Sequence, residues 1–77
     1  MKAKERCNKM KREYYIDGEE VSRYTFFKYL KVEVYNQWIN RNSAWYCFED
    51  YYDYVKTEIR NGNNFNYVHT FWSEVIV

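Results

Sequence analysis

Eighteen of the 77 side chains are aromatic, ten of them tyrosine, against a single leucine, two glycines and no proline. Leucine fills most protein interiors, so a chain with one leucine must pack ring against ring. Each aromatic side chain removes roughly 150 to 250 Å² from water when buried, so a few rings suffice for a small core. Tyrosine adds a hydroxyl at the tip of its ring, which lets one residue type serve both the interior and an adhesive surface. The expectation is a domain that binds rather than catalyses.

A chain this short makes one domain, and a domain near this size buries only about 60% of its unfolded surface. Small cores are often supplemented by a disulfide, a metal or a second subunit. Cys7 and Cys47 are the only cysteines, with no CxxC spacing and no neighbouring histidine to complete a zinc set. They are read as free thiols of a reducing cytoplasm. No apolar run approaches the ~18 residues of a membrane span, and the N-terminus lacks the apolar stretch of a signal peptide. The expected location is the cytoplasm, with no membrane partner.

Charge is unevenly spread. Residues 1–12 carry Lys2, Lys4, Arg6, Lys9, Lys11 and Arg12 against Glu5, while residues 13–77 carry six basic and ten acidic side chains. The division predicted is a basic leader over residues 1–12 and a single acidic domain over 13–77. Met10 opens a reading that would itself start a compact domain with a strand, which sets residues 1–9 apart as an extension.

Tyr14 and Ile16 alternate with Tyr15, and Asp17-Gly18 is a two-residue hairpin signal because glycine accepts positive φ. Val21 closes the hairpin and Ser22 caps the next segment. Over residues 23–40, Phe26, Phe27, Leu30, Val34 and Trp38 fall in one helical stripe. Val32, Tyr35 and Ile39 lie on the opposite side with Lys28, so this helix is apolar on two faces. A two-faced helix in a small domain predicts a homo-oligomer, most simply a two-fold dimer, with Val32, Tyr35 and Ile39 or the C-terminal strand at the interface.

Ser43 is read as the cap of a second helix running to Asn61, with Gly62 as its stop. Ala44, Phe48, Tyr51, Tyr52, Val55 and Ile59 form its inward stripe, and Tyr46, Glu49, Asp50, Asp53 and Tyr54 its outward face. Beyond a turn at 61–64, Phe65, Tyr67, His69 and Phe71 alternate with Asn66, Val68, Thr70 and Trp72, which predicts one strand, either central in the sheet or covered on both sides. Its uncharged ending needs a neighbour, either the N-terminal hairpin or the equivalent strand of another subunit. The order hairpin, helix, helix, strand predicts an α+β fold, with a three- or four-stranded antiparallel sheet and both helices on one face.

Catalytic signatures are absent from the pattern. His69 has no nucleophile or carboxylate at a recognised spacing, and Gly18 and Gly62 are too far apart for a phosphate loop. Glu49, Asp50 and Asp53 lack ligands converging from other segments, so no metal and no cofactor are expected. Three binding modes remain. The acidic and phenolic face of Tyr46, Glu49, Asp50, Asp53 and Tyr54 could imitate a phosphate track and occupy a basic channel of a partner. A small nucleotide could be held between rings at an oligomer interface, with Arg23, Arg41 or Arg60 on its phosphate. The basic residues 2–12 followed by Tyr14 and Tyr15 suit single-stranded nucleic acid, although the acidic body opposes it.

The segment YYIDGEEVSRYTFFKYL, Tyr14 to Leu30, resembles the openings of small uncharacterised proteins of bacteriophages and mobile elements. The likeness rests on the aromatic strand, the Asp17-Gly18 turn, Val21-Ser22-Arg23, and a helix bearing Phe26, Phe27 and Leu30. It does not extend into residues 43–77. The resemblance implies a phage setting, where small stand-alone proteins inhibit host defence by blocking a defence protein such as a nuclease, or by sequestering a signalling nucleotide.

Overall fold

The first turn follows from two residues. In the computed structural model, which describes residues 11–41 and 44–76, Asp17 and Gly18 have φ of 54° and 89°. These are the signs of a type I′ turn, whose twist matches that of the strands it joins. Strands β1 (Lys11–Ile16) and β2 (Glu19–Val21) accordingly pair antiparallel, with Ile16 opposite Glu19. β1 takes in Lys11 and Arg12, which the sequence had placed in the leader; residues 1–10 lie outside the described residues.

Helix α1 (Arg23–Arg41) starts as expected, with the Ser22 hydroxyl accepting the Thr25 N–H at 3.1 Å. Phe26, Leu30 and Val34 are wholly buried, while Val32 and Ile39 stay more than half or half exposed. Helix α2 (Phe48–Arg60) begins later than Ser43, a residue outside the described ones. Cys47 occupies its cap position without a side-chain hydrogen bond. Ala44 is exposed and lies before the helix, so it is no part of the inward stripe. Just before this start the Trp38 indole N–H donates to the Trp45 carbonyl at 3.1 Å, and the Trp45 ring lies against Tyr54 and Tyr51 at 5.3 and 6.0 Å.

The end of α2 is a Schellman closure. Gly62, with φ of 95°, donates to the Ile59 carbonyl at 3.1 Å, and the Asn63 N–H donates to the Glu58 carbonyl at 2.9 Å.

The expected single strand over Phe65–Trp72 is instead a hairpin of β3 (Phe65–Asn66) and β4 (Thr70–Ile76), with Phe65 opposite Phe71. The chain bends over residues 67–69 without glycine or proline. A buried carboxylate supplies the bend: Glu33 of α1 accepts the N–H groups of Val68 and His69 at 2.7 and 2.6 Å. From the other side, Asp17 accepts the Thr70 N–H at 2.9 Å and holds His69 Nδ1 at 2.6 Å.

The sheet is four-stranded and antiparallel, in the order β2-β1-β4-β3. β4 is therefore internal and finds its neighbour in the N-terminal hairpin, one of the two options left by the sequence. Directly opposed residues share a face. Tyr14 with Ser73 and Ile16 with Phe71 face the helices, whereas Glu13 with Glu74 and Tyr15 with Trp72 face away. β4 is thus covered by helices on one side only. The core unites Phe26, Leu30, Val34, Tyr52, Val55, Ile59, Phe65 and Phe71. Phe26 is its hub, with ring centroids 4.9, 5.0 and 5.6 Å from Tyr14, Phe27 and Phe71; such pairs add about 0.5–1.5 kcal/mol beyond their burial. Among the described residues, no helix is long and apolar enough to cross a membrane.

Candidate functional site: a cationic cleft

At the end of the sheet where β1 begins, four basic side chains from three elements converge. Arg12 comes from β1, Arg23 from the first residue of α1, and Lys56 and Arg60 from the last turns of α2; with Tyr14, Phe27, Tyr52, Ile59 and Ser73 they line a cleft of about 430 Å³. The pleat explains Arg12. Its register opposite Val75 puts it on the helix side of β1, two residues from Tyr14 on the same face.

Arg12, Arg23 and Lys56 each have a defined contact that positions them. The Arg12 guanidinium donates to the Ser73 hydroxyl at 2.9 Å, and that buried hydroxyl donates onward to the Ile59 carbonyl at 3.2 Å. The Arg23 guanidinium sits 5.8 Å from the centre of the Phe27 ring, one helical turn along. Lys56 Nζ lies 4.7 Å from the centre of the Tyr52 ring, and Lys31 approaches the same ring at 5.9 Å. The Tyr52 hydroxyl donates to the Phe27 carbonyl at 3.4 Å, and burial, with the Asp53 carboxylate, raises its pKa, so it remains a neutral phenol.

Charge is left over in this cleft. Lys56 has Asp53 at 3.6 Å, but among the described residues Arg12, Arg23 and Arg60 have no carboxylate within the 4.0 Å of an ion pair. Lys56 and Arg60 are four apart on α2, a spacing at which like charges repel. Guanidinium groups and aromatic rings lining one cleft suit a ligand that carries both phosphate and a flat ring.

The structure therefore brings together Arg23 and Arg60 of the proposed phosphate set and separates Arg41, whose guanidinium lies over Tyr67 at 5.3 Å. Arg12 and Lys56 were not foreseen. Arg12 was hidden by its place in a run of basic residues, although its alternation with Tyr14 carried the signal. Glu49, Asp50 and Asp53 are exposed, as expected, with Glu49 and Asp50 in the first turn of α2, where they also favour the helix dipole. Tyr54 stacks in a surface cluster with Trp45 and Tyr51. Tyr46 is 98% exposed but precedes α2, so it does not belong to the helix's outward face.

Val32, Tyr35 and Ile39 are exposed by 57%, 46% and 50%. Tyr35 is not fully opposite the buried stripe, because its ring meets Phe48 of α2 at 5.2 Å and Trp38 at 6.0 Å. A shallow groove lined by Tyr24, Lys28, Lys31, Val32, Tyr35 and Phe48 runs along this side. His69 is half-exposed and engaged by Asp17. Cys47 is a half-buried free thiol, and Cys7 lies outside the described residues. Among the described residues no group of histidine, cysteine and carboxylate side chains is placed to hold a metal. Compared with family models, curated proteins and solved structures, the chain matches none.

Proposed function

We propose that this chain is a binding protein without chemistry of its own, which holds a phosphate-bearing nucleotide in the cationic cleft. The reading rests on one observation: Arg12, Arg23 and Arg60, none with a carboxylate of the described residues at ion-pair distance, line a cleft together with Tyr14, Phe27 and Tyr52. The phosphate would be held by guanidinium hydrogen bonds and the base by the aromatic walls. Together with the resemblance of Tyr14–Leu30 to small phage proteins, this favours inhibition of a host defence system by sequestering its signalling nucleotide.

Calorimetric titration with mononucleotides, dinucleotides and cyclic oligonucleotides tests the reading. Binding of at least one class is expected, weakened about 10- to 100-fold when Arg23 and Arg60 are both replaced by Gln, the loss appropriate to one or two charge-assisted hydrogen bonds. Replacing Glu49, Asp50 and Asp53 by Lys should leave that binding unchanged. Absence of nucleotide binding would overturn the proposal.

Two other readings have their own signatures. The exposed carboxylates Glu49, Asp50 and Asp53, beside the Trp45, Tyr51 and Tyr54 cluster, favour a blocked basic protein partner; there the same Lys triple variant would abolish inhibition. A nucleic-acid accessory role draws on the basic residues 2–12, of which Arg12 lines the cleft. It would show as single-strand binding that falls steeply with salt.

A further inference from the structure

The side of the sheet away from the helices carries an arrangement that the fold does not need. Glu13 of β1 and Glu74 of β4 stand directly opposite each other, as do Tyr15 and Trp72 in the next pair, and Glu20 of β2 flanks Tyr15. Like charges directly opposed across a strand pair destabilise a sheet. Among the described residues none of these glutamates has a cation within 4.0 Å, and Lys11, the basic group that the register places on this face, makes no ion pair. A local conflict with no remedy among the described residues marks a surface shaped by something outside them.

The aromatic pair gives that surface its form. Tyr15 and Trp72 stack with centroids 5.3 Å apart and planes at 17°. Each turns its polar tip to a carboxylate: the Tyr15 hydroxyl donates to Glu13 Oε1 at 2.7 Å, and the Trp72 indole N–H donates to Glu74 Oε2 at 3.3 Å. The carboxylates are thereby held, each with its second oxygen clear of these bonds. The Glu13 bond, burial and the neighbouring glutamates push the Tyr15 hydroxyl up to about 12, so it stays a donor at any physiological pH.

Two fixed carboxylates on opposed residues, whose Cα atoms lie on the order of 5 Å apart, suit a group that is cationic, flat and able to donate from two edges. Guanidinium meets all three conditions, and its plane also stacks on aromatic faces; a strongly hydrated ammonium meets fewer. We infer that the uncovered sheet face docks an arginine-bearing segment of a protein partner, with a guanidinium between Glu13 and Glu74 against the Tyr15–Trp72 stack and Glu20 at the rim. This surface is separate from the cationic cleft, because alternate residues of β1 and β4 point to opposite sides of the sheet.

Labelled nona-arginine and nona-lysine peptides, titrated against the full chain at near-physiological ionic strength, provide the test. Nona-arginine should bind more tightly than nona-lysine. Glu13→Gln with Glu74→Gln, which keeps the acceptors for Tyr15 and Trp72, should weaken nona-arginine at least about tenfold, as expected for a lost charge partner. The same pair should raise the thermal midpoint of the free chain by removing the repulsion. Glu49→Gln, Asp50→Asn and Asp53→Asn together should change the affinity by less than about threefold, as for rim charges. Equal binding of the two peptides, no binding of either, or greater loss from the α2 set would overturn the inference. So would a light-scattering mass that drops only in the Glu13 and Glu74 variant, since the occupant would then be a second copy. If that variant fails to fold, amide shifts of the unaltered chain decide: changes centred on β1 and β4 support the inference, and changes confined to α2 refute it.

Discussion

Two carboxylates do more for this fold than their residue type implies. Glu33 takes two backbone N–H groups of the 67–69 bend, and Asp17 ties the first hairpin to the start of β4. Replacing Glu33 by Ala should cost about 2 kcal/mol in denaturant unfolding, within the range for hydrogen bonds to a charged acceptor, with Gln in its place losing less. Asp17 makes a pH prediction. The Thr70 N–H, and then His69, hold its carboxyl below the usual range. Its stabilising effect is therefore present above the unfolded carboxylate pKa of about 3.9 and is lost as pH falls through the lower folded value. The thermal midpoint of Asp17→Asn should trail the unaltered chain at pH 7, and the gap should close under acid. Gly18 has open space where a Cβ would lie, so Gly18→Ala should cost only the conformational penalty of positive φ, about 1 kcal/mol.

At the scale of the element, α1 is the part whose two sides ask for different surroundings. Phe26, Leu30 and Val34 are satisfied by the core, whereas Val32 and Ile39 face outward beside a groove lined by Lys28, Lys31 and Tyr24. The homo-oligomer expected from this second stripe makes a definite forecast. Light scattering at micromolar concentration should give more than one chain, and Val32→Glu with Ile39→Lys should return a monomer of nearly unchanged thermal midpoint, because surface changes away from packing rarely matter by more than about 0.5 kcal/mol. A monomer from the unaltered chain would remove the case for an interface on α1. For α2, Trp38→Phe deletes the indole donor to Trp45 and should lower stability by about 1 kcal/mol, the net worth of a typical hydrogen bond.

Over the whole molecule, the sheet works as a divider of charge. Consecutive residues of β1 send Arg12 and Tyr14 to the cleft and Glu13 and Tyr15 to the uncovered face, so cationic and acidic surfaces lie back to back. Anionic and cationic partners would thus be kept apart by the thickness of one sheet. Deleting residues 1–9 should leave the thermal midpoint close to that of the full chain, since β1 starts at Lys11 and the core draws on residues beyond it. A fall of many degrees in calorimetry would show that the leader packs as part of the fold.

The features legible in the sequence were those with local causes. The Asp17-Gly18 turn follows from φ sign, the Ser22 cap and the Gly62 stop from unpaired helix-end groups, and the buried stripes of both helices from their period. From these came the α+β order and the antiparallel sheet with helices on one face. What escaped involves partners outside the reach of a cap or a helical period, from seven to 61 residues away. The bend at 67–69 depends on Glu33, 35 residues before Val68, and reads in sequence as continuous strand. The late start of α2 coincides with the Trp38 indole holding the Trp45 carbonyl. Arg12 joins the cleft because β4 fixes its register and Ser73, 61 residues on, receives its guanidinium. Periodicity and caps act within a few residues and so are written in the sequence. Which strands pair, in what register, and which charges then meet are settled only when the core closes and brings distant donors and acceptors within reach.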